Sequence, residues 1–271
     1  MKLTEKNYYG KKASLQYFSV SQFKDFLKCP SMAMAKLNGE YVPERGRALI
    51  LGSLVDEMLT GTEKSQAEFI EENRSELLKK NGEPYADVEQ AFETVERVKK
   101  QPLMMHYLGG KHQVIMTGEI EGVPFKIKMD SFDSKEYIAD LKYMASLRSP
   151  NLFTPMIEYW GYDLQAACYQ EIVRQNIGKR LPFYFDVATK EKPAHLAVGQ
   201  ISQWNIDKAM DIVRANIVDF QKMKTGEIEA PRCEEYGCDW CTSTKIITEA
   251  IDTDLFGMSA SQIRGMRGEI L

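Results

Sequence analysis

Asp130 in VPFKIKMDSF, with Asp140 and Lys142 in EYIADLKYM, forms the grouping in this 271-residue chain whose residue types could do chemistry. Alternation over the first segment puts Phe125, Ile127 and Met129 on one face and Lys126, Lys128 and Asp130 on the other. Over the second, Ala139, Leu141 and Tyr143 face one way, and Ile138, Asp140 and Lys142 the other. A turn at Asp133-Ser134-Lys135 lets the two strands pair, so that the polar faces converge. Two carboxylates meeting on a rigid sheet suit Mg²⁺ or Mn²⁺, hard ions that prefer oxygen ligands and retain water. Such an ion polarises a phosphoryl oxygen and acidifies a bound water, and a neighbouring ammonium steadies the charge that builds up as a phosphodiester is cut. The main-chain carbonyl of Leu141 offers one more ligand. A D-x-K triplet alone is weak evidence, because most such triplets are solvated ion pairs.

The elements that would position this group follow from periodicity. A helix capped by Ser21 is expected through QFKDFLKCPSMAMAKL, and another from Arg45 to Thr60 with Ala48, Leu51, Val55 and Leu59 as its apolar stripe. Two charged helical segments follow, EKSQAEFIEENRSELLKK and ADVEQAFETVERVKK, joined at NGEP. The period then changes to two, and HQVIMTGEI, VPFKIKMDSF and EYIADLKYM read as an antiparallel meander. A helix (YDLQAACYQEIVRQNIG), two strands (LPFYFDVATK and HLAVGQI) and a long helix from Gln203 to about Lys224 complete the pattern. This is an α/β fold, a central mixed sheet flanked by helices with a helical N-terminal part. One domain is expected over 1–271: 1–110 mainly helical, 111–200 sheet and helix, 201–246 helix and cysteine cluster, and 247–271 a tail or docking arm.

Composition narrows the setting. The formal net charge is −4, so any nucleic-acid contact must come from a local groove and not from the global field. No apolar run approaches the ~20 residues that cross a bilayer, and MKLTEKNYYGKKASLQYF lacks the apolar stretch of a secretory signal; a cytoplasmic protein without a membrane partner is expected. Three of the five cysteines, Cys233, Cys238 and Cys241, fall within nine residues, and Cys29 is a candidate fourth ligand. Four thiolates suit a [4Fe–4S] cluster or tetrahedral Zn²⁺ in a structural role. Cys168, inside a predicted helix, reads as a small buried residue. Glu119 is a candidate cross-strand partner of Lys126 or Lys128, and His106, His112 and His195 show no ligand spacing.

Taken in order, these motifs resemble the RecB-like branch of the PD-(D/E)xK nucleases, and most closely phage-type RecE-like exonucleases. The resemblance rests on SVSQFKDFLKCP (Ser19 to Pro30), GSLVD (Gly52 to Asp56), the D…D-x-K core of Asp130, Asp140 and Lys142, and Gln165 to Tyr169 as a Q-x-x-x-Y motif. It spans about residues 19–245, and each motif is weak while the ordered set is specific. It implies a restriction-endonuclease-like core and a Mg²⁺-dependent DNA exonuclease that digests duplex from an end in phage DNA recombination. It further implies a single-strand annealing recombinase as partner and a ring-shaped homo-oligomer. Gln165 and Tyr169, four apart on one helix face, would contact DNA near the scissile phosphate. The family's metal-binding histidine is replaced by Asp56, so Asp56, or failing it Glu57, is the expected third acidic ligand. The resemblance also favours an iron–sulfur cluster over zinc on Cys29, Cys233, Cys238 and Cys241, although the order of the C-terminal spacings differs from the usual one. Two rivals share the fold: a single-strand or flap nuclease of the repair or CRISPR-adaptation type, and a catalytically degenerate scaffold that binds DNA. A zinc-finger module is disfavoured because no histidine pair follows the cysteines.

Overall fold

The computed structural model describes residues 2–43, 46–233, 237–247 and 250. The predicted tail therefore lies almost wholly outside the described residues, as does Arg45 at the expected start of the second helix.

Among the described residues nine helices precede the sheet: α1 (Glu5–Tyr8), α2 (Lys11–Gln16), α3 (Val20–Lys28), α4 (Pro30–Asn38), α5 (Arg47–Thr60), α6 (Glu63–Glu72), α7 (Arg74–Leu77), α8 (Ala86–Lys99) and α9 (Pro102–Tyr107). The helix expected to run unbroken through Cys29-Pro30 is divided there. Proline disfavours the helical conformation of the residue before it, and Cys29 is extended (φ −165°, ψ 106°). Its sulfur instead caps α4, accepting the Met32 N–H at 3.4 Å. The N-cap of α3 is Ser19, not Ser21; its hydroxyl accepts the Gln22 N–H at 3.3 Å.

Next come β1 (Lys111–Ile120), β2 (Val123–Asp133), β3 (Tyr137–Met144), α10 (Met156–Tyr159), α11 (Tyr162–Ile177), β4 (Phe183–Thr189), β5 (Leu196–Gln200), α12 (Gln203–Thr225) and α13 (Asp239–Ser243). The five strands lie in sequence order. β1, β2 and β3 pair antiparallel, as the alternation predicts, and β5 is antiparallel to β4. β4 is parallel to β3, which requires the crossover that α10 and α11 supply. Glu119 stands opposite Pro124, while Thr117 and Ile115 face Lys126 and Lys128, so the suggested pairing of Glu119 with either lysine does not form.

Each sheet face has its own core. Phe18, Phe23 and Phe26 are fully buried with residues of α11 and α12, and Phe23 and Phe26 pack on Phe220 at 5.3 and 5.4 Å between centroids. Burying a phenylalanine contributes about 2–3 kcal/mol, which ties α3 firmly to the sheet. The other face is covered by α5, α8 and α9 through Leu51, Leu54, Val55, Val95 and Met104, packed on Leu141 and Ala188.

Candidate active site

β2 and β3 part company where the acidic residues stand. Their ladder runs Asp133↔Tyr137, Phe132↔Ile138, Ser131↔Ala139 and ends, one step before Asp130 would face Asp140. The Leu141 N–H donates instead to the Asp130 carboxylate at 3.3 Å. Beyond the fork β2 takes a different neighbour: Phe18 N–H donates to the Pro124 carbonyl and Lys126 N–H to the Phe18 carbonyl, both at 2.8 Å. The opening lets side chains from both faces reach the same place.

Asp56 arrives from α5. Its carboxylate accepts a hydrogen bond from Gln113 Nε2 at 3.3 Å, and burial, then the charges of Asp140 and Glu57, push it up to about 6. Glu57 is engaged elsewhere, accepting from the Ser65 hydroxyl at the start of α6. Asp130 is pushed well above the carboxylate range, first by burial and then by Asp140 and Asp56, with Lys142 opposing. From α11, Gln165 Nε2 donates to Asp140 Oδ1 at 2.5 Å. Asp140 Oδ2 forms an ion pair with Lys142 Nζ. Burial would lower the Lys142 ammonium, yet Asp140 and Asp130 outweigh it and hold it above its ordinary value. The Tyr169 hydroxyl donates to the Lys128 carbonyl at 2.8 Å, fixing α11 to β2.

The structure thus links Asp130, Asp140, Lys142 and Gln165 through hydrogen bonds, an ion pair and charge, with Asp56 joined to both aspartates by charge alone, while Tyr169 meets β2 one turn further along α11. Crowded carboxylates of raised pKa are a site short of positive charge, and a divalent cation fits that deficit. Asp130, Asp140 and the Leu141 carbonyl are the residues that could hold it, and Asp56 feels the charge of both aspartates.

Three neighbours escaped the sequence reading. Tyr162 carries its ring 5.0 Å from Lys142 Nζ, and its place three residues before Gln165, on the same helix face, was a usable signal. Lys24 reaches across from α3 to donate to the Trp160 carbonyl at 2.7 Å; burial, then Lys142, lowers its pKa. That crossing is close to Gly161, whose φ of +62° and whose absent Cβ, 3.1 Å from Lys24 Cδ, both require glycine. The third is Asp186 on β4, opposite Leu141, fully buried and with no hydrogen bond to either carboxylate oxygen.

Burial, then Asp140, pushes Asp186 up to about 7. An unfolded aspartate titrates near ~3.9, so the folded value is the higher one. The stability tied to neutral Asp186 is full below about pH 4 and is lost as pH climbs through about 7. Asp186→Asn should therefore raise Tm by roughly 5 °C near pH 8, with the gain shrinking toward pH 4. Thermal melts across that range measure it, and a pH-independent shift would count against a titrating Asp186.

A second cluster lies where α3 meets α4. The sulfurs of Cys29, Cys233, Cys238 and Cys241 all lie within 4.8 Å of one another, and those of Cys29 and Cys241 are 3.5 Å apart. Backbone N–H groups of Cys238 and Cys241 donate to Cys233 Sγ and Cys238 Sγ at 3.2 and 3.5 Å. The first of these bonds leads in lowering the Cys233 thiol to about 7, whereas burial pushes Cys241 up to about 12. Four converging sulfurs with amide donors are a donor set that fits a thiophilic metal. Cys168 is buried in the core of α11, apart from this group.

A mixed sheet forked at paired aspartates, with a lysine two residues beyond the second, defines the PD-(D/E)xK nuclease superfamily. The chain belongs to the family of the PDDEXK-like domain of unknown function (DUF3799), whose model matches residues 19–244. It is similar, at 37% identity, to a protein from Eubacterium rectale solved as the crystal structure of a "putative exonuclease". The two superpose with a TM-score of 0.87 over 95% of this chain and 99% of that one. No curated protein matches the chain.

Proposed function

We propose that the protein is a divalent-metal-dependent DNA exonuclease. The observation that carries this reading is the convergence of Asp130, Asp140 and Lys142 at the β2–β3 fork. A Mg²⁺ or Mn²⁺ ion held by Asp130, Asp140, the Leu141 carbonyl and Asp56 would polarise the phosphoryl group and acidify a water. Gln165 holds the Asp140 carboxylate in one orientation, which pre-positions a ligand without reorganisation. The Lys142 ammonium, kept charged by both aspartates, faces the developing negative charge on the phosphate. The likeness to the Eubacterium rectale protein supports digestion from an end, and duplex as the substrate rests on the sequence resemblance. Action in phage recombination beside an annealing partner and ring assembly belong to the same proposal and rest on the sequence resemblance. No helix among the described residues is long and apolar enough to cross a membrane.

Digestion of linear against circular duplex DNA, with Mg²⁺ or with EDTA, tests the reading. Loss of the linear form alone, and in Mg²⁺ alone, is expected. Cutting of the circle would replace the exonuclease with an endonuclease, and inactivity on duplex and single strands alike would favour a degenerate scaffold.

For the four cysteines we infer a single tetrahedral ion, with Zn²⁺ the best fit. Zn–S bonds of about 2.3 Å set sulfur–sulfur edges of roughly 4 Å, in line with separations within 4.8 Å. An iron–sulfur cube puts its inorganic core between the thiolates and spreads them further apart. The resemblance favours a [4Fe–4S] cluster instead, and metal analysis decides between the two.

A further inference from the structure

Beside the acidic fork lies a cleft of about 380 Å³ that reaches Gln165 and Tyr169 at its inner end. Its walls carry Tyr8, Tyr9, Lys24, Lys36, Lys126 and Lys128. Asp25, also in the wall, is bound to Lys36 at 2.7 Å, and among the described residues Lys24, Lys126 and Lys128 form no ion pair, although Lys24 feels Asp140, Asp163 and Asp25 and Lys128 feels Asp56. For a chain of net charge −4, this concentration of cations is local and directed.

Lys126 sharpens the point. Only 3% exposed, its ammonium donates to the Tyr8 carbonyl at 2.5 Å and faces the Tyr8 ring at 4.6 Å. Behind it lies Lys224, 8% exposed, bonded to the Tyr17 carbonyl and to Gln22 Oε1 at 3.0 and 2.9 Å. Among the described residues neither forms an ion pair with a carboxylate. Burial pulls Lys126 down to about 8 and Lys224 to about 7. Buried ammonium groups without counter-charge are costly, and an anion above them relieves that cost. At the rim, Tyr9 is 74% exposed, its ring held edge-on to Tyr8 at 5.0 Å with Lys128 Nζ 4.9 Å from its centroid. An exposed aromatic ring above a cationic groove is the device by which proteins take single strands, stacking bases while tracking the backbone. The volume is at the small end for ligand pockets and is enough for a nucleotide.

We propose that this cleft seats an unpaired nucleotide of the strand being cut, its base on Tyr9 and its phosphate facing Lys24 and Lys128 above Lys126. The proposal deepens the nuclease reading and rests on it for the identity of the strand. The enzyme therefore engages single-stranded DNA, supplied as such or frayed from a duplex end.

Tyr9→Ala and Tyr9→Phe test it, both at an exposed position. Fluorescence anisotropy with labelled oligothymidylate in Mg²⁺-free buffer should show about tenfold weaker binding for the alanine variant and wild-type binding for phenylalanine. In Mg²⁺ the alanine loss should fall chiefly on KM for single strands, and an oligonucleotide abasic at the seated position should bind wild type and Tyr9→Ala alike. Undiminished oligothymidylate binding by Tyr9→Ala, or equal loss with Tyr9→Phe, overturns the proposal. If wild type cuts DNA while Tyr9→Ala is kinetically unchanged, the cleft assignment alone fails. If wild type cuts nothing yet binds in a Tyr9-dependent way, the nuclease reading fails and the cleft stands.

Discussion

Lys142→Ala is expected to lower Mg²⁺-dependent DNA cleavage by about a thousandfold or more, while far-ultraviolet circular dichroism stays that of the wild type. The size follows from removing a preorganised charge aimed at the transition state, which costs roughly 10²–10³ in rate where single donors have been deleted. The structure adds a second loss, because Lys142 is the ion-pair partner of a nearly fully buried Asp140. Without the ammonium, Asp140 is left buried without its partner, and Asp130 loses the one charge that opposes its raised pKa. A modest fall in Tm should accompany the loss of activity, with no loss of fold. Asp140→Asn should be as inactive, for the complementary reason that the metal has lost an anionic ligand. Either purified variant digesting linear DNA at the wild-type rate would falsify the assignment of the fork as the cleavage centre.

The largest expected effect on stability belongs to Cys238→Ser. Cys238 supplies one of the four sulfurs, and its own sulfur accepts the Cys241 N–H, so the substitution removes a ligand and loosens the turn that presents another. Elemental analysis should find about one zinc per wild-type chain and none in the variant, with Tm lower by on the order of 10 °C. Cys168→Ala, a change in the main core, should keep its metal. A brown wild-type protein containing iron and sulfide would restore the cluster and overturn the single-ion reading. A metal-free wild type as stable as the loaded one would remove the centre altogether.

Much of the architecture was legible because strong periodicity survives folding. The strands around Asp130 and Asp140, the helix carrying Gln165 and Tyr169, and the long α12 all fall where apolar spacing puts them. The break at Cys29 was missed because helical periodicity continues across it, although the proline that enforces it was in plain view. Asp56 was preferred to Glu57 only because it stands where the family has its histidine; the hydrogen bond from the Ser65 hydroxyl, in the first turn of α6, is what engages Glu57. The short α1 and α2 gave no signal, because helices of four and six residues depend on tertiary contacts. With them went Tyr8, Tyr9 and the bridge from Phe18 to Phe125. Asp186 hid in an apolar strand, where sequence offers no means of telling a paired acid from an unpaired one.

The junction at Cys29 has a practical bearing on how inhibition should be interpreted. The thiolate knot sits at the end of α3, the helix that also lends Lys24 to the mouth of the cutting site. On the proposed reading a strong chelator would have two targets: an ion at the aspartates, replaceable by dilution into fresh Mg²⁺, and one at the four cysteines, whose removal would slacken the α3 wall of the cleft. Inactivation that magnesium reverses at once points to the first. A slow component that yields only to zinc under reducing conditions would reveal the second.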